Sequence, residues 1–332
     1  MKFLVTIAVV LFSNNLHAGA YIFAGESNGI DIITHPSNYT GNSGVVEVNV
    51  CINPSSVDAA DMVIPTLNII NTFNELQGFN NNLVFGGANN IPSGQIDWES
   101  VALHEVGHCI GLAHPNLGSQ TGVSGSNTNY TNSTNGVDDV FTFNDGSDNI
   151  IGSGDDVRGD DQNLFWFNDN VNNPFVASPP FDATTYTREL ADLPNGDSFA
   201  TNPDINVAAD LGFANTEGVM QQGSRGDEDQ RLLGVDDVAT LRLAMSGLDE
   251  TANTNDDYTI RLVYGGLTNN CDINIYNDPG YSGFAVCGVG GSFLSNNHVG
   301  ITTGDIQTNP NTNWFFNDVS NFDDVIFEDG FE

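Results

Sequence analysis

Residues 104–114 read HEVGHCIGLAH, and the interpretation of the whole chain turns on them. Three of the chain's six histidines fall within these eleven residues, beside a glutamate and two glycines. On an α-helix, residues four apart share a face, so His104 and His108 can present imidazole nitrogens to one ion at ~2.0–2.1 Å. A third ligand on the same helix would point elsewhere. Gly111 resolves this, because glycine can end the helix in a left-handed conformation and turn the chain so that His114 returns to the ion. Three protein nitrogens leave the fourth tetrahedral position open, as in catalytic rather than structural zinc sites. Glu105, rotated about 100° from His104 by the helix pitch, projects toward that open position and can accept a proton from a metal-bound water. Cys109 is not needed as a ligand once three histidines are in place, and structural pairing is its expected role.

Working outward, the motif helix is expected to open at Asp97, a good N-cap, with Ile96 and Val101 placed as a hydrophobic staple across it. An earlier helix is predicted from Pro65 to Leu76, ended by Gly78. In GVVEVNVCI the alternation puts Val46, Val48, Val50 and Ile52 on one face of a strand and Cys51 on the other. NNLVFGG (81–87) reads as a short strand into a turn. A long Asn-, Asp-, Gly- and Thr-rich insertion spans about 116–214, with short helices expected at 187–190 and 204–213 and an aromatic cluster at 163–167. GVDDVATLRLAMSG (234–247) reads as a helix capped by Asp236 and stopped by Gly247. From Asp256 onward, alternation in YTIRLVYGG and CDINIYN predicts a small, separate β-rich domain over 256–317, followed by an acidic tail at 318–332.

The first 20 residues have Lys2, a short apolar run and the small-residue exit Ala18-Gly19-Ala20, which is signal-peptide grammar. The expectation is a secreted protein starting at about Gly19 or Tyr21, with no membrane insertion. Four cysteines in an exported chain favour two disulfides. Proximity in the chain pairs Cys271 with Cys287, and elimination pairs Cys51 with Cys109. Forty-three acidic residues against seven basic ones give a formal charge of −36, a field that repels nucleic acid and anionic membranes. The acidic surface keeps a secreted protein soluble. In NDGSDNIIGSGDDVRGDD (144–161), Asp145, Asp148, Asp155, Asp156, Asp160 and Asp161 are candidate calcium ligands, although the spacing matches no EF-hand loop.

The stretch IDWESVALHEVGHCIGLAHP (96–115) resembles the metzincin zinc endopeptidases, and is most similar to their matrixin branch. The resemblance implies an α+β catalytic domain over 21–250: a twisted mixed sheet, an active-site helix and a C-terminal helix. It implies His104, His108 and His114 as zinc ligands, Glu105 as general base, and Met220 as the methionine of a tight turn beneath the metal. The substrates implied are proteins or peptides, acted on by a monomer. The chain departs from the family pattern in its long insertion and in Gln221 and Gln222 after Met220, where some relatives carry a metal-side tyrosine. No cysteine-switch propeptide is recognisable. A surface or adhesive binding protein with a non-catalytic metal site is the alternative, and a hydrolase of non-peptide bonds a third reading; Glu105 argues against the former, since a structural site has no use for a base.

Overall fold

Alternation in the strand of residues 44–52 decides how the sheet is laid down. The computed structural model describes residues 21–24, 32–114, 143–144, 147, 157–158, 167–168, 175–187, 212–214, 216–221 and 224–322. Strand β1 (Ile33–His35) is followed by β2 (Gly44–Ile52), in which Val46, Val48 and Val50 are buried and the residues between them are exposed. A register shift between Val50 and Cys51 then breaks the alternation, and Cys51 and Ile52 are both buried.

Helix α1 (Val63–Glu75) buries Ile69, Ile70 and Phe73. It ends at Leu76, which takes the left-handed conformation two residues before the expected stop at Gly78. The glycines form a 3₁₀ turn at Gly86–Ala88, where the turn was expected, but residues 81–85 before it do not form the expected strand. Strand β3 (Ile96–Asp97) leads directly into helix α2 (Trp98–Cys109), which carries the histidine motif. The short strands β4 (Phe143–Asn144) and β5 (Val157–Arg158) pair antiparallel, as do β6 (Phe167–Asn168) and β7 (Tyr186–Thr187). Helix α3 (Val235–Ala244) has Gly234 as its N-cap. Asp236, expected to cap it, lies instead in the first turn, and the Asp237 carboxylate accepts the Gly234 N–H at 2.7 Å.

The remaining strands are β8 (Tyr258–Leu267), β9 (Ile273–Asn277), β10 (Ala285–Phe293), β11 (His298–Thr308) and β12 (Trp314–Phe315). They do not form the separate β-domain expected over 256–317. Strands β8, β9, β10 and β11 join β1 and β2 in one six-stranded sheet, ordered β1-β11-β9-β2-β8, with β10 added to β11. All its pairings are parallel except β10 with β11. Strand β12 pairs in parallel with β3, fastening the C-terminal segment to the entrance of α2. One apolar core holds Val48 and Val50 from β2, Ile69 and Phe73 from α1, Leu103 and Val106 from α2, and Ile275 and Ile306 from β9 and β11. A mixed α+β fold results, built from both ends of the chain. Helix α1 packs on β8 and on α2, while α2 packs on β10 and β11.

The sheet order also corrects the disulfides. Cys51 bonds Cys271, and Cys109 bonds Cys287, with Cα separations of 5.8 and 5.9 Å. Cys271 precedes β9, Cys287 lies in β10, and β11 runs between those strands. Strands two places apart are separated by roughly 9–10 Å, beyond the ~7 Å reach of a disulfide, so proximity in the chain misleads. Among the described residues no helix is long and apolar enough to cross a membrane. Residues 1–20, expected to be a leader, most of the expected insertion, the six candidate calcium-binding aspartates and residues 323–332 lie outside the described residues.

Candidate metal centre

Helix α2 starts where the sequence sets it. Asp97 accepts the Ser100 N–H at 3.0 Å and the Ser100 hydroxyl at 2.5 Å, satisfying donors that an open helix end would leave bare. Arg231 grips the same carboxylate with two bonds of 2.8 Å, from Nε and Nη2. Gln230 donates its N–H to the Ser100 hydroxyl at 2.9 Å. The segment after residue 224 is thereby strapped to the first turn of the motif helix. Beside it, Glu99 accepts hydrogen bonds from Asn68 and Asn317 at 2.9 and 2.7 Å. Burial raises its pKa to about 7, against the opposing pull of Arg231 and the two amides.

The far end of α2 turns as required. Gly111 adopts φ +121°, and the Leu112 N–H bonds back to the Gly107 carbonyl at 2.9 Å. A side chain at Gly111 would be strained by that φ and would press on the Thr34 carbonyl at 2.9 Å. This turn does two things for the site. It delivers the Leu112 carbonyl to His108 Nδ1 at 2.9 Å, and it swings His114 back so that its Nε2 lies 2.8 Å from His104 Nε2 and 3.1 Å from His108 Nε2. His104 Nδ1 meets the Val219 carbonyl at 2.6 Å.

These contacts fix the protons. A carbonyl only accepts, so Nδ1 of His104 and of His108 must carry the hydrogen, and their Nε2 atoms present lone pairs. His114 Nε2 can donate to one of them at most. Three converging nitrogens hold too few protons to satisfy one another, whereas a single cation between them would satisfy all three. Burial lowers the pKa of His104 to about 4 and of His108, which also feels His104, to about 3. These two imidazoles are therefore neutral and available as ligands at neutral pH. Among the described residues this trio is the one His, Cys, Asp or Glu cluster whose geometry could hold a metal ion, its ligand atoms all lying within 4.8 Å of one another.

Glu105 is 6% exposed. The backbone amide of Cys287 in β10 lies near its carboxylate, while Oε2 is buried without a hydrogen-bond partner. Burial raises its pKa to about 8, with the Cys287 amide pulling the other way. The charge of Glu105 also reaches Tyr281, on the connection between β9 and β10; burial first and then this charge raise the phenol's pKa. Met220 is 2% exposed and lies against α2 at Gly107, where an added Cβ would come within 2.5 Å of its Sδ. A glycine between the two helix-borne histidines is what lets the methionine approach.

The structure thus brings His104, His108 and His114 to one point, turns the chain at Gly111 and sets Met220 against Gly107, while Glu105 follows His104 on α2 and faces β10. It adds participants that sequence reasoning missed. Asp237 accepts the Gly234 N–H, and the amides of Val219 and Met220 lie near its carboxylate, which sets it beside the segment whose carbonyl orients His104. Burial pushes the pKa of Asp237 up to about 6 despite those amides. The Val219 and Leu112 carbonyls and the Cys287 amide are backbone groups that any residue type would supply, so no sequence signal marks them. No protein-family profile, curated protein or solved structure was found to match the chain.

Proposed function

We propose that this chain is a zinc-dependent endopeptidase of the metzincin type, similar to the matrixin branch, exported and acting on proteins or peptides. The observation that carries the reading is the convergence of three Nε2 atoms, two of them held as lone pairs by carbonyls behind the rings, next to a buried carboxylate with a free oxygen. Tetrahedral zinc with ~2.0–2.1 Å bonds places its ligand nitrogens about 3.3 Å apart. The observed 2.8 and 3.1 Å lie just inside that spacing. Nitrogen donors backed by carbonyls suit zinc better than a hard cation such as calcium, which takes oxygen ligands.

When bound by His104, His108 and His114, zinc supplies Lewis-acid polarisation of a peptide carbonyl and a water acidified toward pKa ~7. Glu105 would be the group that accepts a proton beside the ion and returns it to the amine nitrogen of the leaving peptide. The Cys287 amide lies beside the carboxylate, and Oε2, which has no hydrogen-bond partner, is the oxygen that would move the proton. Val219 and Leu112 keep the ligand rings from turning. Strand β10 has β11 as its sole strand partner among the described residues, so an extended peptide laid along its other edge would pass Glu105.

The reading is tested by incubating the purified, zinc-loaded protein with unfolded casein, with and without a zinc chelator. Chelator-sensitive cleavage, restored by added zinc, is the expected result. A well-folded, zinc-loaded protein that leaves casein and a peptide library intact contradicts it.

A further inference from the structure

Glu105 and Cys109 lie four residues apart on α2, one helical turn on the same face. Both face the same residue of the sheet: Cys109 is bonded to the Cys287 sulfur, and the Cys287 amide lies near the Glu105 carboxylate and favours its charged form. Cys109 also directly follows the metal-site residue His108. The other bridge, Cys51–Cys271, joins β2 to the turn before β9. Both cysteines of the site-proximal bridge are buried. At Gly304 of β11 an added Cβ would come within 3.2 Å of Cys109 Sγ, so the neighbouring strand leaves room for the sulfur.

We propose that formation of the Cys109–Cys287 disulfide completes the site, with Cys287 as the positioning residue for Glu105. This inference rests on the peptidase reading above. In the dithiol form the three imidazoles can still take their ion, because the carbonyls behind His104 and His108 belong to the Val219 segment and to the turn after α2. Strand β10 is then no longer pinned to α2, and the Cys287 amide is no longer held beside Glu105. The maturing step is thiol–disulfide exchange. The two protein thiols become one disulfide and a disulfide oxidant such as oxidised glutathione becomes two thiols, so hydrogens and electrons balance. Activity would therefore develop in an oxidising compartment.

The test compares two double variants. Cys109→Ala with Cys287→Ala removes the bridge at the site; Cys51→Ala with Cys271→Ala removes the remote one. The bridges span 178 and 220 residues, so the loop-entropy model gives them nearly equal stabilisation, and similar drops in Tm are expected. The expected outcome is a tenfold or greater fall in kcat for the first variant, with KM within twofold and one zinc still bound per chain. For the second variant kcat and KM should both stay within twofold of wild type. Equal kcat changes in the two variants, or an unchanged kcat in the first, overturn the inference.

Should either variant fail to fold, the wild-type protein is reduced stepwise with a water-soluble phosphine at constant zinc, and the released thiols are mapped by mass spectrometry. The phosphine leaves as its oxide, taking oxygen from water, whose two hydrogens pass to the two sulfurs. Activity should fall in step with opening of Cys109–Cys287 and return on treatment with oxidised glutathione. Activity that survives complete opening of that bridge overturns the inference. Fully oxidised, zinc-loaded wild type that cleaves nothing refutes the peptidase reading itself, and the inference with it.

Discussion

The described part of the molecule has two groups of buried or half-buried histidines, and they are built in opposite ways. In the trio, His104, His108 and His114 turn the same atom, Nε2, toward a common point. In the pair, His35 and His298 meet head to tail: His35 Nε2 lies 2.8 Å from His298 Nδ1, and His35 Nδ1 lies 3.0 Å from the Tyr258 hydroxyl. Glu250 Oε1 stands 3.4 Å from His298 Nε2, an electrostatic contact rather than an aligned hydrogen bond. That carboxylate favours a proton on Nε2 of His298. Nδ1 then accepts from His35, and Tyr258 donates to the other His35 nitrogen. Each imidazole contact of the pair has one donor and one acceptor. The trio instead points lone pairs at lone pairs. Burial alone does not distinguish a ligand from a structural histidine; the direction of the protons does.

The comparison breaks first at Glu105. Glu105→Ala should lower kcat/KM by about 10²–10⁴-fold, the usual range for a general acid–base group, with zinc content unchanged. Retention of wild-type turnover on casein would remove the base from the account. Next comes the metal itself. Zinc at a thousandfold excess over its Kd should stabilise the folded chain by about 4 kcal/mol, measured as a chelator-dependent shift in Tm. That shift should vanish in His108→Ala and persist in His298→Ala. A shift that survives His108→Ala would place the metal elsewhere.

Smaller effects sharpen the other side. His298→Ala leaves the His35 Nε2–H without its acceptor in a fully buried position, and should cost about 1–3 kcal/mol in denaturant unfolding without affecting zinc stoichiometry. Smallest is a pH slope. Burial, followed by the nearby His298, lowers the His35 pKa to about 3 from 6.5, with Asp256 opposing; Tyr258 and Tyr39 complete its surroundings. The unfolded chain therefore binds the extra proton first as the pH falls. The stabilisation from His35 is whole above about pH 6.5 and declines between there and pH 3. Its share of the slope approaches about 1.4 kcal/mol per pH unit. His35→Gln should flatten the urea-unfolding stability profile over pH 4–6 by that share; an unaltered slope would show that His35 is protonated in the fold.

The parts of this structure that could be read from sequence were those encoded by local pattern. The valines of β2, the Asp97 cap and the Gly111 turn each announce themselves within a few residues, and the histidine trio follows from them. What failed was pairing at a distance. Strand β2 lies between β8 and β9, which follow it by more than two hundred residues, and alternation reports a strand's face but not its neighbour. The separate C-terminal domain and both cysteine pairings were lost for that one reason. The His35–His298 pair was equally silent, because its contact depends on the parallel register that sets Ile33 beside His298. Backbone groups that tune the site, from Val219, Leu112 and Cys287, carry no side-chain signature.

The central claim is that three imidazoles hold one ion and leave a coordination position for water. Zinc analysis combined with X-ray absorption at the zinc edge, on the folded protein, tests it directly. The account predicts one zinc per chain with three imidazole nitrogens and one oxygen in its coordination shell. Failure to bind zinc stoichiometrically, or a shell filled entirely by side chains of the protein, would contradict it.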